Sequence, residues 1–110
     1  MDPKTWGPGL WSVIHGLPVY GSTLQNVKAF YSALAVPCEK CQGHLESFRA
    51  ENPIGNIETR QQAFSWSVKL HNSVNSRLGK RHYDEGECYK VHCQGKADET
   101  ESGKNVVLLF

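Results

Sequence analysis

Apolar side chains recur along most of this chain at helical spacing. Leu24, Val27, Tyr31 and Leu34 return every three or four residues with Phe30 alongside, one amphipathic face that stops at Pro37. Upstream, Gly7-Pro8-Gly9 opens a helix with Trp11, Ile14 and His15 on its apolar face, and Gly16 and Pro18 are expected to end or bend it. Ser22 and Thr23 are N-cap candidates for the second helix. A third begins at Pro37 or Cys38, where the fixed φ of proline suits a first turn. It turns Leu45 and Phe48 inward and ends before Asn52-Pro53-Ile54-Gly55-Asn56, a run of turn-forming residues. The fourth and longest runs from about Glu58 to Leu78 with Phe64, His71, Val74 and Leu78 along one side, and Gly79 is placed to stop it. Strand-like patterning is missing until residues 106–110, a run that reads as a docked tail or a strand. Residues 81–105 turn polar and charged, the composition of an irregular or partly mobile extension without a core of its own. The pattern predicts an all-α protein: a compact four-helix arrangement in residues 1–83 and a polar C-terminal tail in residues 84–110.

A chain of 110 residues makes one small domain, to whose stability a bound cofactor would add substantially. Its formal net charge of +1 gives no broad cationic field, so nucleic acid is not an expected partner. No stretch approaches the roughly 20 apolar residues of a membrane span, and Met1-Asp2-Pro3-Lys4 lacks the apolar run of a secretory signal. An intracellular protein with no membrane segment is therefore expected. Four cysteines in such a compartment point away from a disulfide framework and toward metal or redox chemistry.

The chemistry concentrates in Pro37-Cys38-Glu39-Lys40-Cys41. Thiols at i and i+3 of a helix start lie on neighbouring turns of one face, close enough to bridge and open reversibly. The positive helix end favours the thiolate there. Cys38 is expected to be the accessible thiol and Cys41 to face whatever the helices enclose. Such a pair also occurs in zinc sites and thioredoxin-like folds. Zinc would need Cys88 and Cys93 as its second half, but Cys-x-x-x-x-Cys so far downstream departs from ribbon spacing, and a thioredoxin fold needs strands.

On the fourth helix His71, Val74, Asn75 and Leu78 fall at i, i+3, i+4 and i+7, which puts an imidazole and an amide in a core-facing stripe. A buried polar group left unsatisfied costs about 1–3 kcal/mol, so the two imply a partner network or a polar ligand. His15, four residues after Trp11, repeats the arrangement, and Trp66 adds another large aromatic. Any one of these is readily a satisfied core residue; a planar, partly polar ligand held between helices accounts for them together. Arg77, Lys80 and Arg81 cluster at the end of the fourth helix, where they either neutralise a diphosphate or complement the helix terminus. No Gly-x-Gly-x-x-Gly follows a strand, so a Rossmann site is not expected.

Three elements occur in order: Gly-x-x-x-Trp-x-x-x-His at residues 7–15, Pro-Cys-x-x-Cys at 37–41, and Trp-x-x-x-x-His-Asn-x-Val-Asn-x-x-Leu-x-Lys at 66–80. Over residues 6–83 the chain thereby resembles the Erv/ALR family of FAD-linked sulfhydryl oxidases. Trp-Gly-Pro-x-x-Trp at residues 6–11 and the short length look like compact members encoded by large DNA viruses. The resemblance implies a four-helix bundle holding FAD non-covalently, with the flavin ring near Cys41 and the adenine end near Trp66, His71 and Asn75. It makes Cys41 the proximal thiol and Cys38 the one that exchanges with substrate. Gly7, Trp11, His15, His44, Asn72, Val74, Leu78, Lys80 and Tyr83 would line the cofactor. Electrons would pass from protein dithiols, a thioredoxin-like relay protein among the candidates, through the pair and FAD to molecular oxygen, yielding hydrogen peroxide. A homodimer is also implied, in host cytoplasm or at a virus assembly site, with the mitochondrial intermembrane space as the alternative.

Cellular members have a cysteine where Val68 stands, paired with one just past the fourth helix, so that structural disulfide is not expected here. Cys88 and Cys93 resemble the shuttle pair of some members; a local structural disulfide and unpaired thiols are the other readings. As helix neighbours these two would point apart, so pairing requires an irregular loop. Two other function classes compete: a small zinc-binding interaction module using the four cysteines, and a helical structural protein with incidental thiols. The leading reading has no metal site.

Overall fold

Five α-helices carry most of residues 3–20 and 23–94, the parts of the chain that this computed structural model describes. They are α1 Pro3–Tyr20, α2 Leu24–Ala33, α3 Glu39–Glu51, α4 Arg60–Arg77 and α5 Glu85–Tyr89. A 3-10 turn, Ile54–Asn56, joins α3 to α4, and a π-helical turn, Lys90–Gln94, follows α5. No strand occurs among the described residues. Ser22 and the apolar run at 106–110 lie outside them. No helix among them is long and apolar enough to cross a membrane.

Helix α1 runs on past Pro18, where the sequence leads one to expect a break. Proline brings no N–H for the carbonyl four residues back, that of Ile14. The Tyr31 hydroxyl of α2 donates to that oxygen at 2.7 Å instead, so the carbonyl is satisfied from a neighbouring helix and α1 continues to Tyr20. Thr23 caps α2 by accepting from the Asn26 N–H, while Val27 and Tyr31 are buried. The far end of α2 is closed by α3: Arg49 Nη1 donates to the carbonyls of Tyr31 at 2.8 Å and Leu34 at 3.0 Å, which have no partner in their own helix.

Helix α4 starts at a capping box, with Thr59 Oγ1 accepting from the Gln62 N–H at 3.0 Å and Gln62 Oε1 accepting from the Thr59 N–H at 3.2 Å. It stops at Gly79, whose φ of 72° lies in the left-handed region that glycine adopts without penalty. The helix is buried well beyond one stripe, Ala63, Trp66, Ser67, Val68 and Leu70 included. Leu78, expected inward, is 52% exposed because the helix has already ended at Arg77.

The polar C-terminal segment departs from the expectation of irregular structure. Asp84 and Glu87 form a second capping box, and α5 with its π turn buries Cys88 and Cys93 against Phe64 and Val68 of α4 and against Tyr83. The acidic run that reads as a tail is thus a helix start with an exposed charged face, anchored by its cysteines. This cluster adjoins the main core, in which Ile14, Tyr31, Phe48, Trp66 and Leu70 pack together.

Candidate active site

Cys38 is the N-cap of α3, one residue inside the start expected from Pro37. Its Sγ accepts from the Cys41 backbone N–H at 3.2 Å. Arg49 binds α3 to the end of α2, and Gln42 Oε1 accepts from the Val36 N–H at 2.9 Å, so the linker before the cysteines is held from both sides. The Cys41 thiol and then its backbone N–H donate to the Cys38 sulfur, which lowers the Cys38 pKa. The same contact raises that of Cys41, with burial second, while the Arg77 guanidinium pulls it down. Of the two, Cys38 is the sulfur on which the thiolate is favoured.

Cys41, and not Cys38, lines a cavity of about 750 Å³. That volume lies within the range of pockets that enclose cofactor-sized molecules. Its walls are largely apolar, among them Leu10, Ile14, Leu45 and Leu70. Of the residues expected around a cofactor, Trp11, Cys41, His44, Val74, Leu78 and Lys80 meet here. Lys40, Arg77 and Lys80 contribute cationic groups to the lining, and no acidic side chain does.

Behind Trp11 lies a buried imidazole network. The indole of Trp11 stacks on the ring of His71 with centroids 3.7 Å apart and planes within 4°. Ser67 Oγ donates to the Phe64 carbonyl at 2.6 Å, an oxygen with no proton of its own to give. Oγ must then accept from His15 Nδ1–H at 2.8 Å, which leaves His15 Nε2 to accept from His71 Nδ1–H at 2.9 Å. For neutral rings this is the one arrangement in which every contact has a donor and an acceptor. Burial first, then the neighbouring His92 and His71, hold the His15 pKa well below its ordinary value.

The remaining expected residues lie outside the cavity lining. Gly7 is buried on α1. Trp66 is a core residue whose indole N–H donates to the Asn52 carbonyl at 2.8 Å and whose ring stacks on Tyr31. Asn72 grips the backbone of Tyr83 from both sides, Nδ2 donating to its carbonyl at 2.7 Å and Oδ1 accepting from its N–H at 2.8 Å. Asn75 is fully buried, with no hydrogen-bond partner at either amide atom. Cys88 and Cys93 are buried thiols in the α4–α5 cluster. His15, His71 and Cys88 bring ligand-type atoms within 4.8 Å of one another. The four cysteines do not converge in this way among the described residues.

Sequence reasoning missed Ser67, Lys40 and His92. Ser67 stands four residues before His71, a second polar position on the same helical face, and that spacing was the available signal. Lys40 carries no motif signal, and His92 sits in a segment whose composition hides its packing.

The model of the Erv1 / Alr family matches residues 8–94. The FAD-linked sulfhydryl oxidase of African swine fever virus is 28% identical over 107 residues, covering 90% of this chain and 89% of that protein. The candidate FAD-linked sulfhydryl oxidase 088R of Frog virus 3 is 30% identical over 91 residues, covering 73% of this chain and 61% of that one. No solved structure matches. Because the matched region takes in His15 of α1, Cys38 and Cys41 at the start of α3 and the whole of α4, it holds the dithiol, the imidazole network and all of the cavity lining but Trp6, and this chain belongs to the Erv1 / Alr family.

Proposed function

We propose that this chain is an FAD-linked sulfhydryl oxidase that makes disulfides in protein thiols, with Cys38 and Cys41 as the exchanging pair. One observation carries the reading: of two neighbouring cysteines at a helix start, one lines a cofactor-sized cavity and the other lies outside its lining. Family membership and the names of the viral relatives supply the identity of the cofactor. The residues present fit FAD. The apolar walls and Trp11 suit a flat ring system, and Lys40, Arg77 and Lys80 suit a diphosphate. In this reading Trp11, His44, Val74, Leu78 and Lys80 are walls of the site. Gly7, His15, Trp66, His71, Asn72 and Tyr83 hold the helices and the neighbouring segment that shape it.

The chemistry begins with the pair oxidised. A substrate thiolate attacks the Cys38 sulfur, the Cys38 to Cys41 bond breaks, and Cys41 leaves with the electron pair toward the cavity. With Cys38 held in the mixed disulfide, the contact that raised the Cys41 pKa is gone while the attraction of Arg77 persists, so the leaving thiolate is favoured. A second substrate thiol resolves the mixed disulfide, releasing the substrate disulfide and Cys38 as thiolate. FAD, held by Trp11, Lys40, Arg77 and Lys80, would supply the acceptor for these two electrons, with molecular oxygen as the final oxidant and hydrogen peroxide as the product. Residues 1–83 form the catalytic unit in this reading, on which 84–94 pack. A homodimer, a thioredoxin-like relay partner and a setting in host cytoplasm or a virus assembly site are carried by family resemblance.

A purified sample with a flavin spectrum at about one FAD per chain, and oxygen uptake on adding a dithiol that Cys41→Ser abolishes, is the expected result. A folded, colourless protein that gains neither colour nor thermal stability from added FAD would refute it.

A further inference from the structure

We propose that Cys88 and Cys93 form an intramolecular disulfide that locks the C-terminal helical strap, residues 85–94, in the shape that packs on α1 and α4. Both side chains lie in one apolar cluster with Phe64, Val68 and Tyr83, at 1% and 4% exposure. On a regular α-helix, residues five apart are separated by about 140° around the axis and face away from each other. Here α5 gives way at Lys90 to a π-helical turn. Such winding turns through less angle per residue than an α-helix, and over three of the five steps from Cys88 to Cys93 it brings Cys93 back toward the side that Cys88 faces. A helical turn rises about 5.4 Å, and disulfides bridge Cα separations of about 4.4–6.8 Å. No loop separates the two cysteines, and the departure from regular α-helix is the π turn instead.

Burial also decides what the bridge does. A shuttle must offer a sulfur to incoming thiols, whereas these two are enclosed, and burial pushes Cys88 up to about 12 and Cys93 up to about 11. The bridge is a structural lock. The strap it closes carries His92, whose Nδ1 pairs with Ser12 Oγ of α1 at 3.3 Å and whose ring centroid lies 4.8 Å from that of His15. The locked strap therefore holds the outer wall of the His15–His71 network. Oxidation gives up the weak bond from Cys93 Sγ to the His15 carbonyl, 3.6 Å long.

Forming the bond removes two electrons and two protons from the thiols. They pass by exchange to a protein disulfide, which is left as a dithiol, before the strap docks and encloses the sulfurs. That oxidant is of the class the proposed oxidase produces, and on this point alone the inference rests on that reading.

The test uses full-length protein purified without reductant, unfolded in iodoacetamide and digested with trypsin, which cuts after Arg81, Lys90 and Lys96. Peptides 82–90 and 91–96 are expected as one linked species that separates on reduction. Alkylation of both thiols, a link from either one to Cys38, Cys41 or another protein, or stoichiometric zinc on His15, His71 and Cys88 would each overturn the proposal. In a Cys38→Ser, Cys41→Ser background, oxidised while unfolded with a protein disulfide and then refolded, reductant should lower Tm by about 5–15 °C. Adding Cys88→Ala and Cys93→Ala should remove that dependence, and a Tm indifferent to reductant before they are added overturns the locking role. Neither readout involves oxidase activity, so failure here leaves the dithiol reading standing, and linked peptides from a flavin-free protein would sink that reading alone.

Discussion

Tyr31 joins two requirements in one side chain. Its ring is fully buried against Trp66, and its hydroxyl satisfies the Ile14 carbonyl that Pro18 orphans. Tyr31→Phe keeps the ring and strands the carbonyl, so it should cost about 1–3 kcal/mol in urea unfolding. Unchanged stability would mean that the oxygen finds another partner. The cysteines make a second prediction. Cys38 is stabilised as thiolate first by the Cys41 thiol, so Cys41→Ala should move the pH midpoint of Cys38 alkylation upward. An unmoved midpoint would show that the backbone N–H alone sets it. Cys38, Cys41, His15 and His71 were legible in the sequence because each sits in a short motif or a helical stripe. Their partners were not: that Ser67 orients His15, or that Asn72 grips Tyr83, depends on which helices meet.

At the scale of elements, the caps carry more information than the apolar pattern does. Thr59 and Gln62 fix where α4 begins, and Gly79 where it ends. Gly79→Ala forces a Cβ into left-handed backbone and should destabilise by about 1–2 kcal/mol. With nothing within 4 Å of the added atom, the cost is conformational rather than steric, and a neutral effect in chemical denaturation would count against it. Helical spacing was enough to find α2, α3 and α4. It failed where tertiary contacts decide: α1 survives Pro18 because α2 supplies a donor, and α4 is buried on several faces, which erases a single stripe. In α5 the polar composition pointed to a tail, yet Asp84-Glu85-Gly86-Glu87 is a capped first turn and the apolar anchors are cysteines.

The whole molecule converges where α1, α4 and the C-terminal strap meet, and what meets there is three imidazoles. His15 contacts His71 and His92 among the thiols of Cys88 and Cys93 and the hydroxyls of Ser12 and Ser67, a surrounding that penalises charge. Burial holds His15 well below its ordinary value of 6.5 and pushes His92 down to about 4. The unfolded chain therefore binds protons that the folded one refuses. Stability from these rings is fully present above pH 6.5 and is lost as pH falls through the window from 6.5 to about 4. For His92, a half-buried residue, the loss should be about 1–3 kcal/mol across that window. Acid should thus undock the strap before carboxylates titrate, seen as hydrogen exchange rising in residues 85–94 ahead of α4. His92→Gln, which keeps a donor for Ser12 and cannot take up a proton, should flatten the profile. If the variant instead follows the parent protein from pH 6.5 to 4, the strap is not held by a neutral ring.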